Sequence, residues 1–198
     1  EGNFRPLRVS APEGGLMHAM PPSATFTLWP AVLATEVVTK ALANGMPKIV
    51  PACSGGDLCT VMTVGTDQRT GKQWVEANNE GIGFGGHATG DGEHGIMHLT
   101  EPGCQNVPIE VVESKTPMLI EHYGLRQDSG GPGEHPGGLG ITRSYKFLSE
   151  TAALTLVKKT KTRPWGIGKG QTGENSHVIL RPGTASEERT GMVYEQMK

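Results

Sequence analysis

The chain has 198 residues, among them 29 glycines and 14 prolines, and a formal net charge of -2. This length suits one domain with its own core, and the charge excludes the broad basic surface that grips a nucleic acid backbone. No stretch reaches the roughly 20 apolar residues of a membrane span, and three cysteines without C-x-x-C spacing indicate neither a disulfide framework nor a zinc ribbon, so we expect a cytoplasmic protein.

The first predicted element is a helix over residues 29–44. Pro30 suits the first helical turn, where its missing N–H is not needed, and Gly45 follows as a stop signal. Glu36 and Lys40 lie four residues apart on one side, in the order that favours an ion pair. The other side of the helix is aliphatic, with Leu33, Val37, Ala41, Ala34, Val38 and Leu42.

Seven short segments carry the β-branched or alternating patterns of strands, each bounded by Gly, Pro or Asn. They cover residues 58–65, 73–77, 108–113, 117–126, 141–148, 153–160 and 176–181. We therefore predict an α+β fold, a β-rich single domain with one prominent helix near residues 29–44 and several glycine-rich loops.

Glycine-rich loops occupy residues 81–95, 130–140 and 166–173. The third holds Lys169, but it lacks the G-x-x-x-x-G-K-[ST] spacing and the following helix of a phosphate-binding loop, so we predict an ordinary turn. The glycines of the second predict positive φ angles and close packing at a junction between strands. A pocket-lining role for them is the secondary interpretation.

Several side chains in these loops have the chemistry of catalytic or metal-binding groups. His87, Asp91, His94 and His98 are types that bind zinc, iron or manganese. The intervening glycines exclude a helix that would align them, so we predict no metal site in this chain. We predict instead a surface loop whose histidines are solvated or cap turns. Asp91 and His94 remain candidate catalytic residues, together with Asp128.

A second group of candidates surrounds the loop 130–140. Ser129, Gly130, Gly131 and Arg143 are candidate substrate- or phosphate-binding residues. The alternative for Asp128 and Ser129 is that they bond to the backbone and shape a turn. Arg143 is either an ion-pair partner of Asp128 or a phosphate ligand.

Carboxylates on predicted strands or in the segments next to them form a third group. Glu80, Glu110 and Glu113 can serve as general acids or bases together with Asp91. A charged residue on a strand more often marks the solvent face. The sequence alone does not pair these carboxylates.

Five stretches, taken in order, resemble one family. They are "NFRPLRVSAPEG" at 3–14, "VTKALANGMPKIVPACSGG" at 38–56, "GGHATGDGEHG" at 85–95, "NVPIEVVESKTPMLIEHYGLRQDSGGPGEHPGGLGITR" at 106–143 and "RPWGIGKGQTG" at 163–173. The chain resembles the B-type subunit of ATP-dependent hydantoinases and 5-oxoprolinases, whose relatives include the large subunits of acetone and acetophenone carboxylases. Residues 106–143 are the most specific part of this resemblance.

The resemblance implies that residues 1–198 are the C-terminal part of such a subunit. It further implies that a hydantoinase A-like partner subunit binds ATP and magnesium and phosphorylates an oxygen of the small-molecule substrate or of bicarbonate. Manganese or zinc ligands are expected in the remaining, N-terminal half of the B-type subunit. No cofactor is assigned to this chain itself.

Two departures from the family pattern leave the substrate class open. Residues 15–30 read "GLMHAMPPSATFTLWP" where many relatives have a proline-rich run, and His87 stands where arginine is usual. We lean slightly to carboxylation of a ketone with bicarbonate, with hydrolysis of a cyclic amide (hydantoin, 5-oxoproline or a lactam) as the alternative. A further alternative is a structural platform for partner subunits without catalytic residues, which extensive exposed apolar surface would favour.

Overall fold

A computed structural model describes residues 8–23, 29–56, 59–97, 103, 105–191 and 193–197. Within them lie two helices, α1 (Trp29–Ala43) and α2 (Ile109–Lys115). The strands are β1 (Cys59–Asp67), β2 (Lys72–Glu80), β3 (Met118–Leu125), β4 (Ile141–Phe147), β5 (Thr151–Leu156), β6 (Val178–Leu180), β7 (Glu188–Thr190) and β8 (Tyr194–Met197). The predicted α+β class, rich in strands and with a helix at its N-terminal side, is confirmed.

The strands form three antiparallel sheets. The largest has four strands in the order β2-β1-β5-β8, and the hairpins β3-β4 and β6-β7 form the other two. The register of β3 shifts between Ile120 and His122, which leaves Glu121 as an extra residue. Such a bulge bends a strand and increases its twist.

The predicted strand over residues 108–113 is wrong, because this segment forms α2. Pro108 occupies the N-cap position, Glu110 lies in the first turn and Lys115 in the last, which are the charges that a helix dipole favours at each end. Val112, one turn beyond Pro108, is 1% exposed. The apparent alternation in this segment therefore reflects the apolar side of a short helix.

The main hydrophobic core lies between α2, the β3-β4 hairpin and the four-stranded sheet. Its buried members are Trp74, Val112, Met118 and Ile120. Around them pack the half-buried side chains of Val107, Ile109, Tyr123, Tyr145 and Phe147. This core holds β4, and with it Arg143, against the end of β2.

The four-stranded sheet carries polar side chains on its buried face. Thr63 and Thr151 are at most 2% exposed, and the Thr63 hydroxyl lies 3.6 Å from Met118 Sδ in the core. On the outer face Val64 pairs directly with Val75, and these two side chains are 45% and 70% exposed. The sheet therefore turns its aliphatic side outward.

Helix α1 likewise directs aliphatic side chains toward solvent. Val37 and Val38 are 68% and 56% exposed, whereas the Glu36 side chain is 12% exposed and pairs with Lys159. The predicted pairing of Glu36 with Lys40 is thus replaced by a contact to a distant loop. In the part of the chain that the structure describes, neither helix is long and apolar enough to cross a bilayer.

The three glycine-rich loops pack against one another through their backbones, and we call residues 81–95, 130–140 and 166–173 together the glycine layer. A Cβ atom on Gly83 would lie 1.9 Å from the carbonyl oxygen of Gly138. A Cβ atom on Gly131 would lie 2.5 Å from the carbonyl oxygen of Gln171. Real Cβ atoms do not approach so closely, so only glycine fits.

This packing confirms part of the prediction for residues 130–140 and corrects the rest. Close backbone approach is present, as predicted. Positive φ angles are not: none of the six glycines in the segment has one, whereas Asp128 just before it has a φ of 56°. Contact distance, and not backbone conformation, requires glycine at Gly130, Gly131 and Gly138, where an added Cβ atom would lie within 2.5 Å of a carbonyl oxygen.

Candidate functional site

A polar cleft of about 570 Å³ opens at one edge of the glycine layer. Two segments form it, because the backbone N–H of Gly92 donates to Pro136 and that of Gly95 to Leu139, each at 2.8 Å. These bonds align two loops that are distant in sequence. The cleft is lined by His87, Gly90, Asp91, Gly92, Glu93, His94, His135, Pro136 and Gly137.

An acid–imidazole pair lies in this cleft. Asp91 Oδ1 is 3.1 Å from His135 Nδ1, with the Asp91 side chain 65% and the His135 side chain 35% exposed. A carboxylate only accepts hydrogen bonds, so the His135 Nδ1–H group is the donor. Among the described residues, Asp91 is the hydrogen-bond partner of this ring, which leaves Nε2 for a ligand.

The Nδ1 atom of His94 accepts a hydrogen bond, whereas that of His135 donates one. The backbone N–H of Leu139 donates to His94 Nδ1 at 2.9 Å. Because that nitrogen accepts, a neutral His94 carries its proton on Nε2. The cleft therefore contains one imidazole whose remaining nitrogen can accept a hydrogen bond and one whose remaining nitrogen can donate.

His87 lines the same cleft, whereas His98 lies outside the described residues. His87 Nδ1 is 3.2 Å from the Thr89 hydroxyl and accepts from the Thr89 N–H at 3.4 Å. Within the described part of the chain, no three His, Cys, Asp or Glu side chains converge as metal ligands would. The cleft offers hydrogen bonding and proton transfer.

The remaining candidates around residues 130–140 do not line the cleft. Ser129 Oγ donates to the Arg126 carbonyl at 2.7 Å and accepts from the Gly140 N–H at 2.9 Å, so it ties the two ends of the loop together. Gly130 packs against Gly137, because a Cβ atom added to Gly130 would lie 2.0 Å from the carbonyl oxygen of Gly137. Asp128 is exposed at the turn preceding them.

Arg143 lies in a separate, buried network. Its Nε is 3.2 Å from Glu80 Oε2, without hydrogen-bond alignment, and its Nη2 donates to Asn106 Oδ1. The guanidinium stacks on Tyr123, 4.1 Å from the ring centroid, and Tyr145 donates its hydroxyl to Glu80 Oε1 at 2.6 Å. Arg143 therefore pairs with Glu80 and not with Asp128, which was one of its two alternatives in the sequence analysis.

The electrostatics of this network are those of a buried ion pair. Burial raises the pKa of Glu80, against the opposing effects of the Tyr145 hydrogen bond and the Arg143 charge. Burial and the neighbouring Glu80 carboxylate raise the pKa of Tyr145. The Arg143 side chain is 2% exposed, so it neutralises a carboxylate inside the fold. A role of Arg143 in binding phosphate stays a prediction.

A third polar cluster attaches α1 to the rest of the fold. Glu36 Oε1 accepts from Lys159 Nζ and, at 2.8 Å, from Cys53 Sγ. Burial, followed by the contact with Glu36, raises the pKa of Cys53 to about 12. The adjoining cavity measures about 30 Å³, room for one water molecule. This cluster therefore positions the helix against Cys53 and Lys159.

The loop 166–173 forms a turn. The Gly170 N–H donates to the Ile167 carbonyl at 2.9 Å, which closes a turn, and Lys169 is exposed beside it. The Gly166 backbone packs against Gly170, where a Cβ atom would lie 2.5 Å from the carbonyl oxygen. The predicted turn is confirmed.

His135 was not predicted as a site residue from the sequence. This residue lies in "GEHPGG", inside the quoted loop, but no spacing rule links it to Asp91 because 44 residues separate them. The signal that could have identified it is a histidine in the glycine-rich loop 130–140, which resembles the loop 81–95 in composition.

Comparisons with known proteins assign relatives to the chain. The sequence model of Hydantoinase B/oxoprolinase matches residues 1–197. An uncharacterized protein of Methanocaldococcus jannaschii is 35% identical over 92% of this chain and 32% of its own length. A B-type subunit of a putative D-/L-hydantoinase from Pseudomonas sp. is 30% identical over 94% of this chain and 31% of its own length. The chain thus spans about a third of the length of these relatives.

Solved structures share the fold. ATP-dependent caprolactamase from Pseudomonas jessenii superimposes with a TM-score of 0.83 at 23% identity, covering 100% of this chain and 36% of the other. Acetone carboxylase gives a TM-score of 0.55 at 18% identity, over 70% of this chain and 18% of the other. The 5-oxoprolinase of Saccharomyces cerevisiae is a more distant sequence relative, 28% identical over 90% of this chain and 14% of its own.

Proposed function

The chain belongs to the hydantoinase B/oxoprolinase family, and from this premise we propose that it supplies proton-transfer residues to an ATP-dependent enzyme that hydrolyses a cyclic amide. Relatives in sequence are named hydantoinase and 5-oxoprolinase, and both names denote rings that contain an amide. The observation that carries the proposal is the Asp91–His135 pair in an open cleft.

In this proposal His135 acts as the general base. Asp91 holds the Nδ1–H group and stabilises the imidazolium that forms, as in other carboxylate–imidazole pairs. His135 Nε2 takes a proton from water while the water oxygen bonds to the ring carbonyl carbon. When the ring C–N bond breaks, the same proton is returned to the departing nitrogen, so the side chain ends in its starting state.

His94 has a complementary role. Its Nε2–H group donates to the substrate oxygen on which negative charge develops during attack. Because the Leu139 backbone fixes the ring through Nδ1, the donor is oriented before the substrate binds. Asp128, which is exposed and outside the cleft lining, remains a weaker candidate for a catalytic role.

ATP and magnesium are assigned to a hydantoinase A-like partner subunit. In support of this assignment, the glycine turn at 166–173 closes through the Gly170 N–H and the Ile167 carbonyl and lacks the spacing of a phosphate-binding loop. When bound there, the nucleotide would supply the phosphoryl group that activates a substrate oxygen, and that group would leave as inorganic phosphate once the ring has opened. Manganese or zinc, where the enzyme uses one, is assigned to the part of a B-type subunit beyond this chain. The three cysteines without C-x-x-C spacing favour a reducing cytoplasm.

The outward aliphatic side chains support contact with further protein. Val37 and Val38 on α1 and Val64 and Val75 on the sheet are all at least 45% exposed, and adjoining apolar surface of this kind marks interaction sites. Since the chain spans about a third of its relatives, we assign these surfaces to the remainder of the B-type subunit. If the cleft proves inactive, this platform role is the alternative function.

Carboxylation of a ketone with bicarbonate is the second candidate reaction. Its support is the shared fold with acetone carboxylase, together with the family departures at residues 15–30 and His87. The Asp91–His135 pair would then remove a proton from the carbon next to the ketone carbonyl. The two reactions differ in their requirement for bicarbonate.

The test is ATP hydrolysis by the complex purified with its ATP-binding subunit. We expect stimulation by 5-oxoproline or hydantoin without bicarbonate, and ring-opened product in proportion to ADP. Acetone and acetophenone serve as comparison substrates. Stimulation by a ketone only when bicarbonate is present would replace the proposal with the carboxylase alternative.

A matched pair of variants separates the catalytic role from the platform role. Asp91→Asn alters the cleft, whereas Glu134→Gln changes an exposed carboxylate next to His135 that does not line it. If Asp91→Asn retains full turnover and assembly, this chain acts only as a platform.

A further inference from the structure

We infer that Arg126, His177 and Arg189 form a binding site for a phosphate group. The three residues lie beside the β6-β7 hairpin, because His177 directly precedes β6, Arg189 lies in β7 and Arg126 directly follows β3. None of them lines the polar cleft. The inference therefore concerns a second site and does not depend on the proposed function.

Two guanidinium groups from different elements meet one short segment of chain. Arg126 Nη1 donates to the Asn175 carbonyl at 2.7 Å, and Arg189 Nη2 lies 3.1 Å from His177 Nδ1. Asn175 and His177 are two residues apart, so their Cα atoms are separated by at most about 7 Å. Burial, followed by the charges of Arg189 and Arg126, lowers the pKa of His177. Both positive charges thus act on the same imidazole ring.

The positive charge of these two arginines is not balanced by the protein. In the described part of the chain, neither guanidinium forms an ion pair with a carboxylate. The acidic residues adjoining the site in sequence are engaged elsewhere, since Glu174 pairs with Arg163 and Glu188 with Arg181. An added anion therefore gains attraction from two cations at once.

The polar side-chain atoms left for a ligand are all hydrogen-bond donors. A guanidinium cannot accept, so Arg189 donates to His177 Nδ1, and a neutral His177 carries its proton on Nε2. Arg126 keeps Nε and Nη2 for a ligand, and Arg189 keeps Nε and Nη1. A ligand bound here must accept hydrogen bonds from several directions and carry negative charge.

A phosphate group matches these donors better than a carboxylate does. It carries about two negative charges near neutral pH, equal to the charge of two arginines, and its oxygens accept several strong hydrogen bonds. Guanidinium groups also bind phosphate in a bidentate manner. A carboxylate brings one charge and two oxygens. The bound phosphate connects β7 to the segment that follows β3.

Calorimetric titration of the full chain with inorganic phosphate, in a buffer without other polyvalent anions, tests the site. We expect saturable binding that Arg126→Met and Arg189→Met each weaken by about tenfold or more, as the loss of a hydrogen bond between charged groups predicts. The matched control is Arg163→Met, because Arg163 already pairs with Glu174, and it is expected to bind as the wild type does. The absence of saturable binding overturns the inference, as do equal losses in all three variants.

The pKa of His177, measured by NMR, gives a second readout that separates a bound anion from general screening. Phosphate is expected to raise this pKa more than sodium chloride at the same ionic strength, because a bound anion offsets the two arginine charges that lower it. Without phosphate, Arg126→Met is expected to raise it as well. An effect of phosphate no larger than that of chloride contradicts the site, and an unchanged pKa of His177 in Arg126→Met removes Arg126 from it.

Two further ligands identify the source of the phosphate group. Glycerol 3-phosphate represents a phosphorylated small molecule, and acetate represents a carboxylate. Binding of inorganic phosphate alone assigns the site to the free ion, whereas binding of both phosphates assigns it to phosphorylated molecules as well. Acetate is expected to bind at least about tenfold more weakly than phosphate, for the reason given above. Acetate binding as tight as that of phosphate would refute the ligand class.

Discussion

Asp91 and His135 are 44 positions apart in sequence, yet Asp91 Oδ1 lies 3.1 Å from His135 Nδ1. The contact is made by backbone hydrogen bonds within the glycine layer, such as the one from Gly92 to Pro136. Both partners lie on loops, but the loops are bonded and packed along their length. The pair therefore has a fixed position that loop residues do not ordinarily have.

Asp91→Asn tests the catalytic role of this pair. The amide can donate as well as accept, so it no longer fixes the His135 tautomer, and we expect turnover by the assembled complex to fall by about 10²-fold or more. The melting temperature is expected to change little because the Asp91 side chain is 65% exposed. Steady-state kinetics and thermal unfolding are the measurements, with Glu134→Gln as control.

Arg143→Met tests the buried ion pair. Removal of one partner leaves the Glu80 carboxylate buried without a counter-charge, which we expect to lower the free energy of unfolding by about 3 kcal/mol near neutral pH. The control is Arg163→Met, because Arg163 and Glu174 form an exposed pair whose loss costs about 1 kcal/mol or less. Similar losses in both variants, measured by urea unfolding, would contradict the assigned role.

The stability of the Arg143→Met protein is expected to depend on pH. Burial raises the pKa of Glu80 in the folded state, so the folded protein holds this proton more tightly than the unfolded chain does. The stability that Glu80 contributes is thus fully present below the pKa of this carboxyl group in the unfolded chain, near 4.5. It is lost as the pH rises through the pKa of Glu80 in the folded protein. Without Arg143 this pKa rises further.

We therefore expect the cost of Arg143→Met to be smaller at acidic pH than at neutral pH. Urea unfolding of wild type and variant across this range measures it. A cost that is independent of pH would show that Glu80 is not the group affected.

Gly83→Ala tests the contact distances in the glycine layer. The new Cβ atom would meet the Gly138 carbonyl oxygen at 1.9 Å, and backbone cannot rotate away, so we expect a loss of about 3 kcal/mol or failure to fold. Gly45→Ala is the matched control. A Cβ atom there has no heavy atom within 4 Å, and its φ is not positive, so thermal unfolding should show a neutral or slightly stabilising change.

Cys53 provides a test that requires no partner subunit. Its pKa of about 12 leaves very little thiolate at pH 8, so alkylation by iodoacetamide is expected to be about a thousandfold slower than for an ordinary cysteine. Peptide mass spectrometry of native and denatured protein measures the rate. Glu36→Gln removes one cause of the raised pKa and should accelerate labelling; equal rates in native and denatured protein would exclude the buried cluster.

Local sequence signals predicted local structure well. Helix α1 ends at Ala43, close to Gly45, because caps and breakers act within a few residues. The segment at 109–115 was misassigned, since seven residues fit either a short helix or a strand and the core contact of Val112 decides between them. The short strands β7 and β8 carry weak signals and were not predicted.

The partners of individual side chains were not predictable from spacing. Glu36 lies four residues from Lys40 but pairs with Lys159, which is 123 positions away. Arg143 pairs with Glu80, and Asp91 with His135. The sequence shows reactive residue types in loops that line the cleft, whereas pairing depends on which loops the fold places side by side.

The glycine layer also limits how this fold can evolve. When a core side chain grows, a neighbour can usually shrink to make room. Where Gly83 faces the Gly138 carbonyl, both residues are already the smallest possible, so no second substitution can compensate for the first. Change around the cleft is therefore confined to the residues between the glycines, while the supporting backbone stays constant.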